Sequence, residues 1–120
     1  MKIALDLDNT IDSAPAQFQS LMAGLKAAGH YVIVVTGTGD NVASQKDWDE
    51  KAQYLTSLGC GQCWDELAVM AHGGTAIADA KAQWMKDKGV DLFIDNSKDN
   101  AKAAVAIGVE LVLVPWASRF

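Results

Sequence analysis

At 120 residues, half of them hydrophobic, the chain suits one domain with a proper core, is too short for two comfortable ones, and excludes disordered and fibrous classes. Its 10 Lys and Arg stand against 15 Asp and Glu, and the net charge of -5 gives no footprint for a long nucleic-acid duplex. Cys60 and Cys63 are too few for a disulfide scaffold, no apolar run approaches a membrane span, and Asp6 and Asp8 follow Met1 too soon for a signal peptide; a single cytoplasmic domain over residues 1–120 is expected.

Apolar runs and helical patterns alternate along the chain. Ile3-Ala4-Leu5 reads as the first strand. Ala14 to Ala28, with Phe18, Leu21, Met22 and Leu25 at helical spacing, reads as a helix stopped by Gly29. Val32-Ile33-Val34-Val35 is the second strand. The next helix spans Asn41 to Leu58, on Val42, Trp48, Ala52 and Leu55, and Gly59 stops it. Leu67-Ala68-Val69-Met70 is a weaker strand signal. Ala76 to Lys88 reads as a helix on Ile77, Ala80, Trp84 and Met85, closed by Gly89. Leu92-Phe93-Ile94, a short Ala-rich helix from Lys98 to Ile107, and Leu111-Val112-Leu113-Val114 complete the order. Apolar runs that are continuous rather than alternating belong to strands covered on both faces, hence to a parallel sheet. The expected class is α/β, a Rossmann-like three-layer sandwich around a central, mostly parallel, five-stranded sheet.

Reactive residues sit at the strand ends. The first strand leads into Asp6 and Asp8, the second into Thr36-Gly37-Thr38-Gly39, and the fourth into Asp95 and Asp99. In open parallel sheets ligands bind beyond the carboxyl ends of the strands, so these three sets converge. Residues two apart in extended chain point the same way, so Asp6 and Asp8 are expected to face one pocket. Their repulsion calls for a cation, and with Asp95 the set of hard oxygens suits Mg²⁺. A helix cap would explain Asp8 or Asn9 alone, not a pair of carboxylates after a buried strand.

In these motifs the chain resembles the haloacid dehalogenase-like (HAD) superfamily of phosphohydrolases, over nearly its whole length. Asp6-Leu7-Asp8-Asn9-Thr10 matches the family's Asp-x-Asp-x-Thr motif, Thr36 its strand-ending Ser or Thr, and Asp95 with Asp99 its acidic fourth motif. The resemblance implies a phosphomonoester hydrolase. Asp6 would attack phosphorus to form an aspartyl-phosphate, and Asp8 would act as general acid and then base. Thr36 would bind a phosphoryl oxygen, and Asn9, Thr10 and Gly37 would contact substrate. Mg²⁺ would sit on Asp6, Asp8, Asp95 and Asp99. Asn96 stands where many members carry a second acid, which predicts weaker metal binding.

The resemblance also calls for a lysine. Lys81 and Lys86 both lie on the helix before Asp95, and a crossover helix starts at the active-site edge of the sheet. Lys86 is about 7 Å further along the axis, so Lys81 is the expected phosphoryl-binding residue. Lys86 and Lys88 are explained by the negative end of the helix dipole.

The gaps between motifs leave no room for a large cap. The expected domain is capless or nearly so, open to a large substrate or to a lid lent by a second copy, with a nucleotide within range as substrate. A receiver-like phosphoacceptor module uses similar residues, but places its phosphorylated Asp on a middle strand of the sequence. An inactive HAD-fold binding protein is the other alternative. Cys60-Gly61-Gln62-Cys63 has metal or redox spacing, but only His72 is nearby and a zinc site needs four ligands; buried or free thiols in a turn explain it better. Trp48, Trp64 and Trp84 read as packing residues, and Trp116 leaves an interface role open.

Overall fold

The computed structural model describes residues 1–38, 40, 42–71 and 77–113. Its elements are β1 (Lys2–Asp6), a 3₁₀ turn (Ile11–Ser13), α1 (Pro15–Ala27), β2 (Tyr31–Gly37), α2 (Gln45–Ser57), β3 (Glu66–Met70), α3 (Ile77–Lys88), β4 (Leu92–Asp95), α4 (Lys98–Ala106) and β5 (Glu110–Leu113). The strands form one sheet in the order β3-β2-β1-β4-β5, and every pairing is parallel.

The continuous apolar runs are explained by two cores, one on each face. Ile3, Leu5, Val32, Val34, Leu67 and Ile94 point to the α1 and α2 side, where Phe18, Met22 and Leu55 meet them. Ala4, Ile33, Val35, Ala68 and Phe93 point to the α3 and α4 side, against Met85 and Ala104. Successive residues of β1, β2, β3 and β4 therefore feed opposite cores, which is the three-layer α/β arrangement. No helix among the described residues is long and apolar enough to cross a membrane.

Helix boundaries follow local chemistry. α1 begins with Pro15 at its first position, where the missing N–H is harmless. α2 begins at Gln45, four residues later than the periodicity suggests, because Ser44 and Asp47 form a reciprocal capping box. Val42, counted in that helix from sequence, lies before it and is 74% exposed. Leu21 of α1 is likewise exposed, whereas Phe18 and Met22 are core. α4 starts at a Ser97 N-cap that accepts from the Asn100 N–H. Gly29 and Gly59 end their helices at positive φ, a conformation open to glycine at no steric cost.

Candidate functional site

Strand order places the site. The order reverses direction between β1 and β4, and an open α/β sheet binds ligands at the carboxyl ends flanking such a switch. Asp6 ends β1 and Asp95 ends β4. By strand alternation Asp6 shares the face of Ala4, and Asp95 the face of Phe93; both face α3 and α4. A carboxylate there meets the first turns of those two helices.

The Lys81 side chain of α3 fills the space between them. Its Nζ donates to Asp6 Oδ1 at 2.6 Å and stands 4.0 Å from Asp95 Oδ2. All three residues are buried. The Asp95 carboxylate accepts from the Ser97 N–H at 2.8 Å and from Asn100 Nδ2 at 2.6 Å. Asp6 Oδ2 has a longer contact, 3.3 Å from Thr10 Oγ1, which is itself 3.2 Å from Asn96 Oδ1. Burial pushes the Asp6 carboxyl up to about 6; the Lys81 ammonium pulls it down and the Asp95 carboxylate pushes it up again.

Asp8 reaches the site differently from the expectation. β1 ends at Asp6 and residues 7–10 form a turn, so strand alternation does not extend to Asp8. Asn9 at φ 62 redirects the backbone. Asp8 therefore emerges toward the α2 side, its side chain 55% exposed, with Oδ2 3.6 Å from Lys51 Nζ. Thr36 Oγ1 lies 3.4 Å from the same oxygen, Thr36 sharing the β2 face of Val34. Asp6 and Asp8 nevertheless line one hollow of about 380 Å³, with Asn9, Gly37, Lys81, Asn96 and Asn100 among its walls. A Cβ at Gly37 would stand 3.0 Å from the Ile77 side chain, which would have to give way slightly.

Of the residues expected at the site, Asp6, Asp8, Asn9, Gly37 and Lys81 line the hollow, while Thr10, Thr36 and Asp95 are buried beside it. Asp99 does not join them. It is exposed on the first turn of α4 and lines a neighbouring hollow with Asp79 and Lys102. Asn100 is the residue of that turn that reaches Asp95. Lys86 is exposed near the end of α3, away from the carboxylates. Asn100 and Lys51 are the residues that sequence reasoning missed; the Ser97 capping signal, which sets the phase of α4, points to Asn100. Among the described residues, no three His, Cys, Asp or Glu side chains are grouped as a metal cluster. The oxygens at hand for a hard cation are those of Asp6, Asp95, Thr10 and Asn96, together with backbone carbonyls.

Cys60 and Cys63 are free and buried, and burial pushes the Cys60 thiol up, away from the reactive thiolate. Cys60 packs in the core under α1 and α2. Trp48 and Trp64 pack edge to face, 6.1 Å between centroids, and Trp48 Nε1 donates to the Leu67 carbonyl. Gly39, His72 and Trp116 lie outside the described residues, as do Asn41 and Ala76, the expected starts of α2 and α3, and Val114 of the last strand.

No protein-family model matches the chain, and no curated protein matches it. Solved structures share its fold. A universal stress protein from Archaeoglobus fulgidus in complex with dAMP matches at 13% identity and a TM-score of 0.64, over 94% of this chain and 96% of the other. A universal stress protein in complex with cAMP matches at 14% identity and a TM-score of 0.58, over 98% of each chain. A HAD family enzyme from Bacteroides thetaiotaomicron, in complex with magnesium and inorganic phosphate, matches at 15% identity and a TM-score of 0.54. That match covers 88% of this chain and 57% of the enzyme. At these identities the likeness is one of fold, a Rossmann-like α/β sandwich.

Proposed function

We propose that the chain is a capless, Mg²⁺-dependent phosphomonoester hydrolase working through an aspartyl-phosphate on Asp6. The observation that carries this reading is the buried Asp6–Lys81–Asp95 constellation at the switch point of the sheet. A core ion pair with one extra carboxylate is a poor stabilising device, because three desolvated charges are not balanced. As a phosphoryl site it has a purpose. Lys81 holds the nucleophile and neutralises an incoming phosphoryl oxygen, Asp8 stands opposite to move the proton, and Gly37 forms part of the pocket wall with Thr36 buried behind it.

The residues fit a magnesium ion in donor chemistry. Asp6 Oδ2, the Asp8 carbonyl, Asp95 and the Asn96 amide oxygen would hold it, and when bound it supplies charge neutralisation at the phosphoryl oxygens. Asn96 brings no negative charge to the cation and Asn100 donates to the Asp95 carboxylate, so a weak site is expected. Asp99 would contribute only at long range. The strand order supports the hydrolase over a receiver-like module: receivers share the order 2-1-3-4-5, whereas this sheet runs 3-2-1-4-5 with Asp6 on its first and central strand.

A second reading follows from the universal stress proteins solved with dAMP and cAMP, whose fold this chain shares. On that reading the same hollow holds a nucleotide without hydrolysing it. A panel of phosphomonoesters, nucleoside monophosphates included, assayed with Mg²⁺ and with chelator, separates the two. The hydrolase releases phosphate in Mg²⁺ alone; tight nucleotide binding with no release in either condition favours the second reading.

A further inference from the structure

We propose that Lys51 is the positioning residue of Asp8, holding one oxygen of that carboxylate so that the other faces the leaving group; this rests on the hydrolase reading above. Lys51 stands on α2, outside every motif of the sequence. Its side chain is 25% exposed and its ammonium lies 3.6 Å from Asp8 Oδ2. The Thr36 hydroxyl approaches that same oxygen at 3.4 Å. Among the described residues no hydrogen bond or ion pair reaches Asp8 Oδ1. One oxygen is thus held, the other has no such partner among the described residues, and Asp8 itself lines the hollow.

Asp8 needs such a hold. It comes from a turn rather than a strand, half exposed, beside a residue in the left-handed region. One turn of α2 supplies two grips on that loop. Tyr54, three residues on from Lys51, donates its hydroxyl to Asp12 Oδ2 at 2.8 Å, and Asp12 Oδ1 accepts from the Asn9 N–H at 2.6 Å. Residues three apart share a helix face, so Lys51 and Tyr54 act from one side. An ion pair with so exposed a partner adds little stability, so its contribution is to orientation.

The consequence lies in both chemical steps. In the first, the bond between phosphorus and the leaving oxygen breaks as Asp6 bonds to phosphorus. The leaving oxygen keeps the bonding pair and takes the proton from Asp8 Oδ1. In the second, water adds to phosphorus, the electron pair of the Asp6–phosphorus bond returns to Asp6, and Asp8 Oδ1 takes the proton of the water. When Thr36 turns its hydroxyl to a phosphoryl oxygen, Lys51 is the contact that remains on Oδ2.

The test compares Lys51→Met and Lys51→Arg with the wild type, each also in an Asp8→Asn background. Lys51→Met should lower kcat for an alkyl phosphate about 10- to 100-fold, the scale of a misplaced catalytic group, with KM little changed and Lys51→Arg restoring part of the loss. For p-nitrophenyl phosphate, whose leaving group needs little protonation, the loss should be smaller. In the Asp8→Asn background Lys51→Met should have no further effect, since Lys51 acts through Asp8. Full additivity of the two substitutions overturns the proposal. Calorimetric titration with inorganic phosphate gives a readout apart from turnover: affinity should survive Lys51→Met and fall in Lys81→Met. An equal fall in both shows that Lys51 binds the phosphoryl group directly and overturns it too. A wild type inert toward every phosphomonoester overturns the hydrolase reading, and this proposal with it, before any variant is compared.

Discussion

Replacing Asp6 by Asn should abolish turnover and make the protein more stable. The amide has nearly the shape of the carboxyl but is a poor nucleophile, so no aspartyl-phosphate forms. Asp6 rises from 3.8 to about 6 in the folded chain, chiefly because its charge is desolvated. Between those values the folded chain holds a proton that the unfolded chain releases, so stability falls as pH rises across the window. Above about 6 the penalty is complete, and 2.2 units at 1.36 kcal/mol each gives at most about 3 kcal/mol. Asn resembles the protonated carboxyl and escapes this penalty. Urea unfolding well above that pH should show a higher midpoint for Asp6→Asn at unchanged m, and the difference should shrink toward zero as pH falls to the unfolded value. A variant that is less stable at high pH would mean that the Lys81 ion pair outweighs burial, and would refute the reasoning.

Lys81→Met should be the opposite case, losing activity and destabilising the fold by about 3–5 kcal/mol, because two buried carboxylates lose their cation; the loss should ease at low pH, as Asp6 protonates. Unfolding midpoints across pH check this. Asp95→Asn should raise the Mg²⁺ concentration for half-maximal rate well above that of Asp99→Asn, because Asp99 is exposed on α4; equal metal dependence in the two variants would move the metal site away from β4. Ser44→Ala removes the capping box of α2 and should cost about 0.5–2 kcal/mol by thermal or urea unfolding, with phosphoryl chemistry still measurable.

Much of the architecture was legible because β1 to β4 are covered on both faces. Ile3-Ala4-Leu5 and Val32-Ile33-Val34-Val35 are apolar at every position since alternate residues feed two different cores. Glycines after the helices marked the stops well. The start of α2 was misjudged because Val42 mimicked a helical apolar position, while the Ser44–Asp47 box that sets the start is a polar signal. At the site, Lys81 could be separated from Lys86 because helix direction in a crossover unit is fixed. Asp8 was harder. Alternation in an extended chain was carried two residues beyond Asp6, but β1 stops there and Asn9 turns the backbone. Asn100 and Lys51 escaped because their importance comes from which turn of α4 and which face of α2 meet the strand ends, a matter of packing phase rather than of motif.

The most direct test of the central claim is to trap the covalent intermediate. Asp8→Asn, which keeps the nucleophile but slows hydrolysis, is mixed with p-nitrophenyl phosphate and Mg²⁺, quenched in acid and mapped by mass spectrometry. One phosphoryl group is expected on the peptide carrying Asp6, absent when Asp6→Asn is added to the same chain. Release of p-nitrophenol with no phosphoryl group on that peptide, or with the label on another residue, would contradict it.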